Sequence, residues 1–399
     1  MPRKQIDAGA RRGAVLAAAT FLSLPLGSIY AFSVLLAPLE QLLRASRADL
    51  ASVFGISAVC FTIGANLGPL LFGRLPAPHL VAITGALSAV GVTLAAVAPS
   101  LGWLILGYGL LFATGGGMAY VVVQQCVNAA PLARPGLVNG YLVSLFPLGA
   151  MLAAPAYGLG LDWLGVRQTL AALAVVVAAT ALAAALLVAR AGVALVKHGT
   201  ALEATSVEDG LRATFWKLFT VFFLAASAGL MVLSQAAAMV VAFGATNSIA
   251  VLATTGITAA IAVARLLGGW LTDRLPVPFV AASAQAIALF GAIMLTVRPS
   301  PEVAIASLGL IGVGYGLISG LTVAAVASYW PRSEFGRIAG RLYIAWCLAA
   351  IALPVLAGRL YDLMGGYEMA VVVAGGANLL ANLVALTLPR QKRAEDRSR

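Results

Sequence analysis

Charge is what this chain has least of. Only 10% of its 399 residues are Asp, Glu, Lys or Arg, against about 25% in soluble domains. Hydrophobic residues make up 61%, and the mean hydropathy is +0.99. Such a chain cannot cover a water-facing surface with polar groups. A soluble enzyme is excluded and a polytopic membrane protein is implied. Histidine is scarce too: His79 and His198 lie far apart near the ends of apolar runs, which leaves a His-based metal centre without support. Cys60, Cys126 and Cys347 each fall in an apolar run without paired spacing. They read as small core residues rather than a disulfide framework or a metal site. No Gly-x-x-x-x-Gly-Lys run exists to cradle a nucleotide phosphate, so the chain itself supplies no ATP drive. No cofactor, no metal and no catalytic cluster of His, Asp or Cys is expected.

What the chain has instead is long apolar runs. A 19-residue window finds twelve, at roughly 14–36, 51–72, 79–98, 102–128, 139–161, 168–190, 216–238, 248–271, 277–297, 303–328, 338–360 and 368–389. The first is too long for a signal-peptide core and continues into the fold, so no cleaved leader is expected. The polar stretch 191–215 divides the runs into two groups of six. It carries Lys197, His198, Glu203, Glu208, Asp209 and Arg212. The expected domains are a six-helix bundle over 1–190, a cytoplasmic linker over 191–215, and a second bundle over 216–399 with a basic cytoplasmic tail.

The net charge of +11 sits in short loops and tails, so it does not point to nucleic acid. With both termini on one side, 19 of the 25 Lys and Arg fall on that side and five on the other. The positive-inside rule places the richer side, and both termini, in the cytoplasm. The Ala- and Arg-rich composition suggests a bacterial inner membrane. A self-sufficient set of twelve spans makes a monomer the expected state.

The two halves repeat each other at a constant offset of 200 residues. Gly68-Pro-Leu-Leu-Phe-Gly-Arg74-Leu75-Pro76-Ala-Pro78 lies over Gly268-Gly-Trp-Leu-Thr-Asp-Arg274-Leu275-Pro276-Val-Pro278. Gly116, Pro131, Gly136 and Gly140 lie over Gly316, Pro331, Gly336 and Gly340. Six helices repeated in one orientation imply parallel repeats about an axis along the membrane normal. In that design the substrate site lies near the midplane and access alternates by rocking.

One charge lies deep in a run. Arg265 sits in Ala259-Ala-Ile-Ala-Val-Ala-Arg-Leu-Leu-Gly-Gly-Trp270. A guanidinium does not lose its proton in a protein. At the membrane centre it costs roughly 2.5–3.5 kcal/mol on insertion scales. Arg265 must therefore face a cavity or a partner, and no Asp or Glu lies within two turns on its own helix. Two readings stand. Its counter-ion is an anionic substrate, or it hydrogen-bonds backbone carbonyls of a neighbouring helix.

At these residues the chain resembles the major facilitator superfamily along its whole length. The resemblance implies an all-α integral membrane fold of twelve transmembrane helices in two six-helix pseudo-repeats. Gly269-Trp-Leu-Thr-Asp273-Arg274 is similar to the superfamily's cytoplasmic loop motif, while the first copy has Gly73 at the Asp position and keeps Arg74. Asp273, Arg274 and Arg74 are then gating residues rather than ligands. A narrower likeness begins at Gly27-Ser-Ile-Tyr30-Ala-Phe-Ser33, with Pro38 after it, and resembles the oxalate:formate antiporter family and its monocarboxylate porter relatives. Thr214-Phe215-Trp216, Arg265, and Trp346-Cys347 through Pro354, Gly358 and Asp362 agree with it. That likeness makes Arg265 the substrate-anion residue. Two positions depart from it. Cys347 stands where the oxalate exchanger has a Lys, so one cationic ligand remains and a monocarboxylate is favoured over a dicarboxylate. Ile261 stands where animal monocarboxylate porters have an Asp, so no buried carboxylate is at hand to relay a proton.

In the repeat geometry spans one, four, seven and ten line the cavity, with parts of two, five, eight and eleven. Their polar residues fall on helical stripes. Span one offers Tyr30 and Ser33. Span four offers Tyr120, Gln124 and Asn128, with Gln125 beside them. Span seven offers Ser234 and Gln235, span ten Tyr315, Ser319 and Thr322, and span eleven Tyr343, Trp346 and Cys347. Hydroxyl and amide groups can donate to a carboxylate while aromatic faces cover its apolar tail. The same groups can equally bond helix to helix, at about 0.6 kcal/mol each. Lys217 is expected to snorkel, and Asn378 and Asn382 to pair with a neighbouring helix.

The expected substrate-binding residues are Arg265, Tyr30, Tyr120, Gln124, Tyr315, Ser319, Tyr343, Trp346 and Cys347. The expected function is secondary transport of a small organic anion, foremost a monocarboxylate, by exchange or with a proton. The competing reading is an exporter of drugs or other small molecules, which calls for a membrane-embedded acid that the span centres lack. The expected partners are that anion, the lipid bilayer and, if transport is proton-coupled, protons; no nucleic acid is expected.

Overall fold

The computed structural model describes residues 8–195 and 208–390. Much of the expected linker, including Lys197, His198 and Glu203, lies outside the described residues, as do the terminal stretches 1–7 and 391–399.

Among the described residues, twelve helices are long and apolar enough to cross a membrane, and no strand runs. Span one joins an α-helix, Ala8–Leu26, to a 3-10 stretch, Gly27–Leu35, and a last α-helix, Leu36–Leu43. Span two is Arg47–Leu67 with a 3-10 end at Gly68–Leu71, and span three is Ala77–Ala96. Span four runs Leu101–Leu104, then a π-helical Ile105–Phe112, then Ala113–Asn128. Spans five and six are Pro135–Leu164 and Val166–Ala191. Spans seven to nine are Glu208–Ala242, Asn247–Thr272 and Val277–Val297. Spans ten to twelve are Pro301–Tyr329, Phe335–Met364 and Glu368–Leu386. Several helices outrun their apolar runs, because polar first and last turns continue the backbone hydrogen bonding after hydropathy has fallen.

The 200-residue offset extends to the helix starts. Ser46 opens span two with a reciprocal cap: its hydroxyl accepts the Asp49 N–H at 3.1 Å, and its own N–H donates to Asp49 Oδ2 at 3.1 Å. The Ser46 hydroxyl and the Ser46 N–H both donate to Asp49 Oδ2, ahead of the apolar run, and hold that carboxyl below its usual range. Thr246 opens span eight, its hydroxyl accepting the Ile249 N–H. Pro76 and Pro276 precede spans three and nine, and Ser100 and Ser300 precede spans four and ten. Side-chain acceptors and N-terminal prolines suit a helix start because the first N–H groups have no intrahelical acceptor. The halves differ in regularity. The long 3-10 and π stretches, Gly27–Leu35 and Ile105–Phe112, fall within spans one and four, while span ten is one unbroken α-helix.

Contacts divide the chain into two compact units. Unit 1 comprises Met1–Pro131, Leu145–Thr200 and Pro331–Tyr343. Unit 2 comprises Leu132–Ser144, Ala201–Trp330 and Ile344–Arg399. The starts of spans five and eleven, which the repeat makes equivalent, are thus each grouped away from the rest of their helix. Within unit 1, span three lies against spans four and six, and span two against span four. Within unit 2, span ten is central and packs on spans seven, eight and nine. Its close fit on span eight depends on Gly320, where a methyl group would overlap the Arg265 carbonyl oxygen.

Candidate functional site

In unit 2 the sequence pattern puts Arg265 near the middle of an apolar helix, and the fold buries it to 7% exposure. Its Nη2 donates to the hydroxyl of Tyr315 on span ten at 3.1 Å, and its Cζ lies 5.3 Å from the centre of that ring. The indole Nε1 of Trp346 on span eleven donates to the same hydroxyl at 3.0 Å. Tyr315 is 1% exposed, and its ring fits because span seven presents Gly229, where any side chain would overlap it. Ser319 lies one turn further along span ten, buried, with its Oγ making no hydrogen bond. Cys347, next to Trp346, is buried as a thiol. Thr322 spends its hydroxyl hydrogen on the Ile318 carbonyl at 2.7 Å.

These groups share one chemistry. A phenol oxygen accepts twice and donates once. Arg265 and Trp346 fill the two acceptor positions of Tyr315, so its hydrogen remains to be given to a third group. A guanidinium has five donors and no acceptor. Arg265, Tyr315 and Trp346, with Ser319 one turn along span ten, carry one formal positive charge among buried side chains, and the hydroxyls of Tyr315 and Ser319 have hydrogens to give. That suits an oxyanion.

Unit 1 holds a second cluster, which is aromatic. The hydroxyls of Tyr120 and Tyr343 are hydrogen-bonded, and their rings meet edge-on at 4.8 Å. Phe146 lies 5.1 Å from Tyr120 and 5.6 Å from Phe61, and Tyr30 meets Phe146 at 6.3 Å. Gln124, one turn beyond Tyr120, is 1% exposed, and neither its amide nitrogen nor its oxygen makes a hydrogen bond. Asn128 instead bonds the Gln124 backbone carbonyl at 2.9 Å. Phe61 and Phe146 were not expected at a site, since an apolar aromatic in a membrane run carries no distinguishing signal in sequence.

The loop residues divide. Asp273 caps the start of span five: its two carboxylate oxygens accept the N–H groups of Gly136 at 2.7 Å and Leu137 at 2.8 Å. Arg274 stacks on Trp270, with Cζ 4.1 Å from the ring centre. Arg74 is exposed. Gln125, expected only as a neighbour of the span-four stripe, bonds the start of span eleven: its Oε1 accepts the Gly336 N–H at 2.7 Å and its Nε2 donates to the Arg332 carbonyl at 2.8 Å.

Other polar residues serve packing. Gln235 accepts from the Tyr367 hydroxyl at 3.2 Å, and Asn382 donates to the Ala282 carbonyl at 2.7 Å. Asn378 departs from its expected pairing, since its buried amide nitrogen makes no hydrogen bond. Lys217 donates to the Thr387 carbonyl just past span twelve at 2.8 Å. No group of three or more His, Cys, Asp or Glu able to hold a metal occurs among the described residues.

Residues 218–399 match the family model of the Major Facilitator Superfamily. Over that stretch, somewhat less than half of its length, the chain is similar to members of that superfamily. Solved superfamily transporters share the fold. The fucose transporter FucP in its outward conformation superposes with a TM-score of 0.75 at 15% identity, over 94% of this chain and 98% of that one. The proton:xylose symporter XylE gives 0.69 at 15% identity, over 96% and 97%. Among curated sequences, the MFS-type transporter YhjX of Escherichia coli is 22% identical over 82% of each chain. Monocarboxylate transporter 13 of Bos taurus is 27% identical over 86% of this chain and 81% of its own length. Monocarboxylate transporter 11 of Mus musculus is 25% identical over 95% and 88%. The relatives and the fold are those of membrane transporters, not enzymes.

Proposed function

We propose that this protein is a secondary transporter of small organic anions, with monocarboxylates such as lactate, pyruvate, formate or acetate as its substrate class. The observation that carries this reading is the buried Arg265 sharing the Tyr315 hydroxyl with Trp346. A permanent cation beside two hydroxyls that can donate is the complement of an ionised carboxylate. Charge-assisted hydrogen bonds of this kind are roughly twice as strong as neutral ones. A single cationic ligand, with Cys347 beside it rather than a second cation, matches one carboxylate rather than two. The names of two relatives, monocarboxylate transporters 13 and 11, point the same way.

In this account Arg265 and Tyr315 hold the carboxylate, Ser319 and Cys347 border it, and Trp346 fixes the phenol. Tyr30, Tyr120, Gln124 and Tyr343 are further substrate contacts, with Gln124 the group for a second polar function on the substrate. Asp273, Arg274 and Arg74 act in gating. The halves 1–190 and 216–399 exchange access by rocking, whether by anion exchange or with a proton. The protein resides in the inner membrane as a monomer with both termini in the cytoplasm. The test is uptake into proteoliposomes with a panel of mono- and dicarboxylates. Saturable uptake of a monocarboxylate, with little of oxalate or malonate, supports the reading. Preference for a dicarboxylate, or uptake of organic cations alone, overturns it.

A further inference from the structure

The loop that follows span two has lost the acid that its repeat keeps. Asp273 takes two N–H groups at the start of span five, while position 73 is Gly. The backbone differs as well. Gly73 has φ of 71°, in the left-handed region, whereas Asp273 has φ of −75°. A side chain at 73 would leave the backbone in a different direction from that of Asp273.

The start of span eleven, equivalent to that of span five, is nevertheless held. Gln125, 5% exposed, accepts the Gly336 N–H and donates to the Arg332 carbonyl. One turn on, Asn66 of span two donates to the Gly340 carbonyl at 2.9 Å. Gly136 and Gly336, the two glycines whose N–H groups are taken, stand at the same place in the repeat. All of these contacts lie within unit 1 for span eleven and within unit 2 for span five.

We propose that Gln125 is a gating residue of this transporter: it replaces the missing carboxylate as the dock for span eleven, and its neutral dock is the weaker of the two and the first to release. The physical basis is the difference in acceptor. Asp273 brings a full negative charge to the positive end of a helix and takes two N–H groups. Gln125 brings a neutral amide, which takes one N–H and gives one to the Arg332 carbonyl, so both of its bonds are neutral. Hydrogen bonds to charged groups are roughly twice as strong as neutral ones, so the two docks should differ by about tenfold or more in opening.

Backbone hydrogen exchange tests this without a known substrate. The first N–H groups of a helix have no intrahelical acceptor, so the amides of Gly136, Leu137 and Gly336 find their hydrogen-bond acceptors in these docks. Exchange is read on the purified full-length protein by mass spectrometry, on peptides covering 133–141 and 332–340. In the wild type the start of span eleven exchanges several-fold faster than the start of span five. Gln125→Ala speeds exchange at 332–340 by about tenfold and leaves 133–141 unchanged. Asp273→Asn does the reverse. Gln125→Glu keeps the acceptor for Gly336 and adds charge at the cost of the bond to the Arg332 carbonyl; the charged acceptor outweighs that neutral bond, so exchange at Gly336 slows, whereas damage to the fold could only speed it. Unchanged protection of span nine in every variant establishes that each is folded. Exchange at 332–340 that ignores Gln125→Ala, that speeds in Gln125→Glu, or that is slower than at 133–141 in the wild type overturns the proposal.

Discussion

Arg265 donates from Nη2 to the hydroxyl of Tyr315 at 3.1 Å across the contact between spans eight and ten. With Trp346 donating to the same oxygen, the phenol keeps one hydrogen to give away. Tyr315→Phe removes that donor and the acceptor shared by Arg265 and Trp346. A hydrogen bond to a charged group is worth about 1.5–3 kcal/mol. The variant should therefore raise the apparent KM for a monocarboxylate by about tenfold or more, with folded yield near wild type. A KM equal to wild type would remove Tyr315 from the site.

Trp346→Phe keeps the aromatic bulk and loses only the indole N–H. The phenol then has one donor fewer to orient it. The expected result is a smaller rise in KM than in Tyr315→Phe. Combining the two changes should cost no more than Tyr315→Phe alone, because Trp346 acts through Tyr315. Additive effects in uptake kinetics would show an independent role for the indole.

Gln124 is buried with both polar atoms of its amide unbonded. A buried polar group in that condition costs about 1–3 kcal/mol. Gln124→Leu, close in volume, should raise the thermal midpoint of the purified protein while lowering uptake. Higher stability with unchanged uptake would make Gln124 a packing residue. Lower stability would mean that the amide has a structural partner.

Tyr120 and Tyr343 share one hydrogen bond between hydroxyls. Each Phe substitution should cost about 0.5–1.5 kcal/mol. The double variant should cost less than the sum of the two, since the first change already breaks the bond. Thermal unfolding of the four proteins checks this, and strict additivity would contradict it.

Much of the fold was legible because hydropathy and repetition are one-dimensional signals. Twelve apolar runs predicted twelve spans, and Arg-Leu-Pro-x-Pro at 74–78 and 274–278 located the repeat. Arg265 was legible because a charge in such a run is rare. Tyr315 and Trp346 were visible as polar aromatics on suitable spans, but their shared hydroxyl was not, since it depends on how three helices meet. Gln125 stood beside the expected stripe, and nothing local marks an amide as a cap for a helix some two hundred residues away. Phe61 and Phe146 gave no signal at all. The 3-10 stretch at Gly27–Leu35 and the π stretch at Ile105–Phe112 shift the hydrogen-bond register of the backbone, and composition does not encode that shift. The same holds for the starts of spans five and eleven. Their grouping with the other unit comes from tertiary contacts such as Asp273 with Gly136, and both lie in unbroken helical sequence.

Arg265 as the anion ligand is the step on which the rest of the site depends. Its most direct test is calorimetric titration of the purified protein with a monocarboxylate found to be transported, comparing wild type with Arg265→Lys and Arg265→Ala. The expected result is saturable binding to wild type, binding weakened about tenfold or more in Arg265→Lys, which keeps the charge and loses the planar fork, and no measurable binding to Arg265→Ala, with all three proteins folded. Wild-type affinity in a folded Arg265→Ala would contradict it and leave the buried guanidinium a structural role.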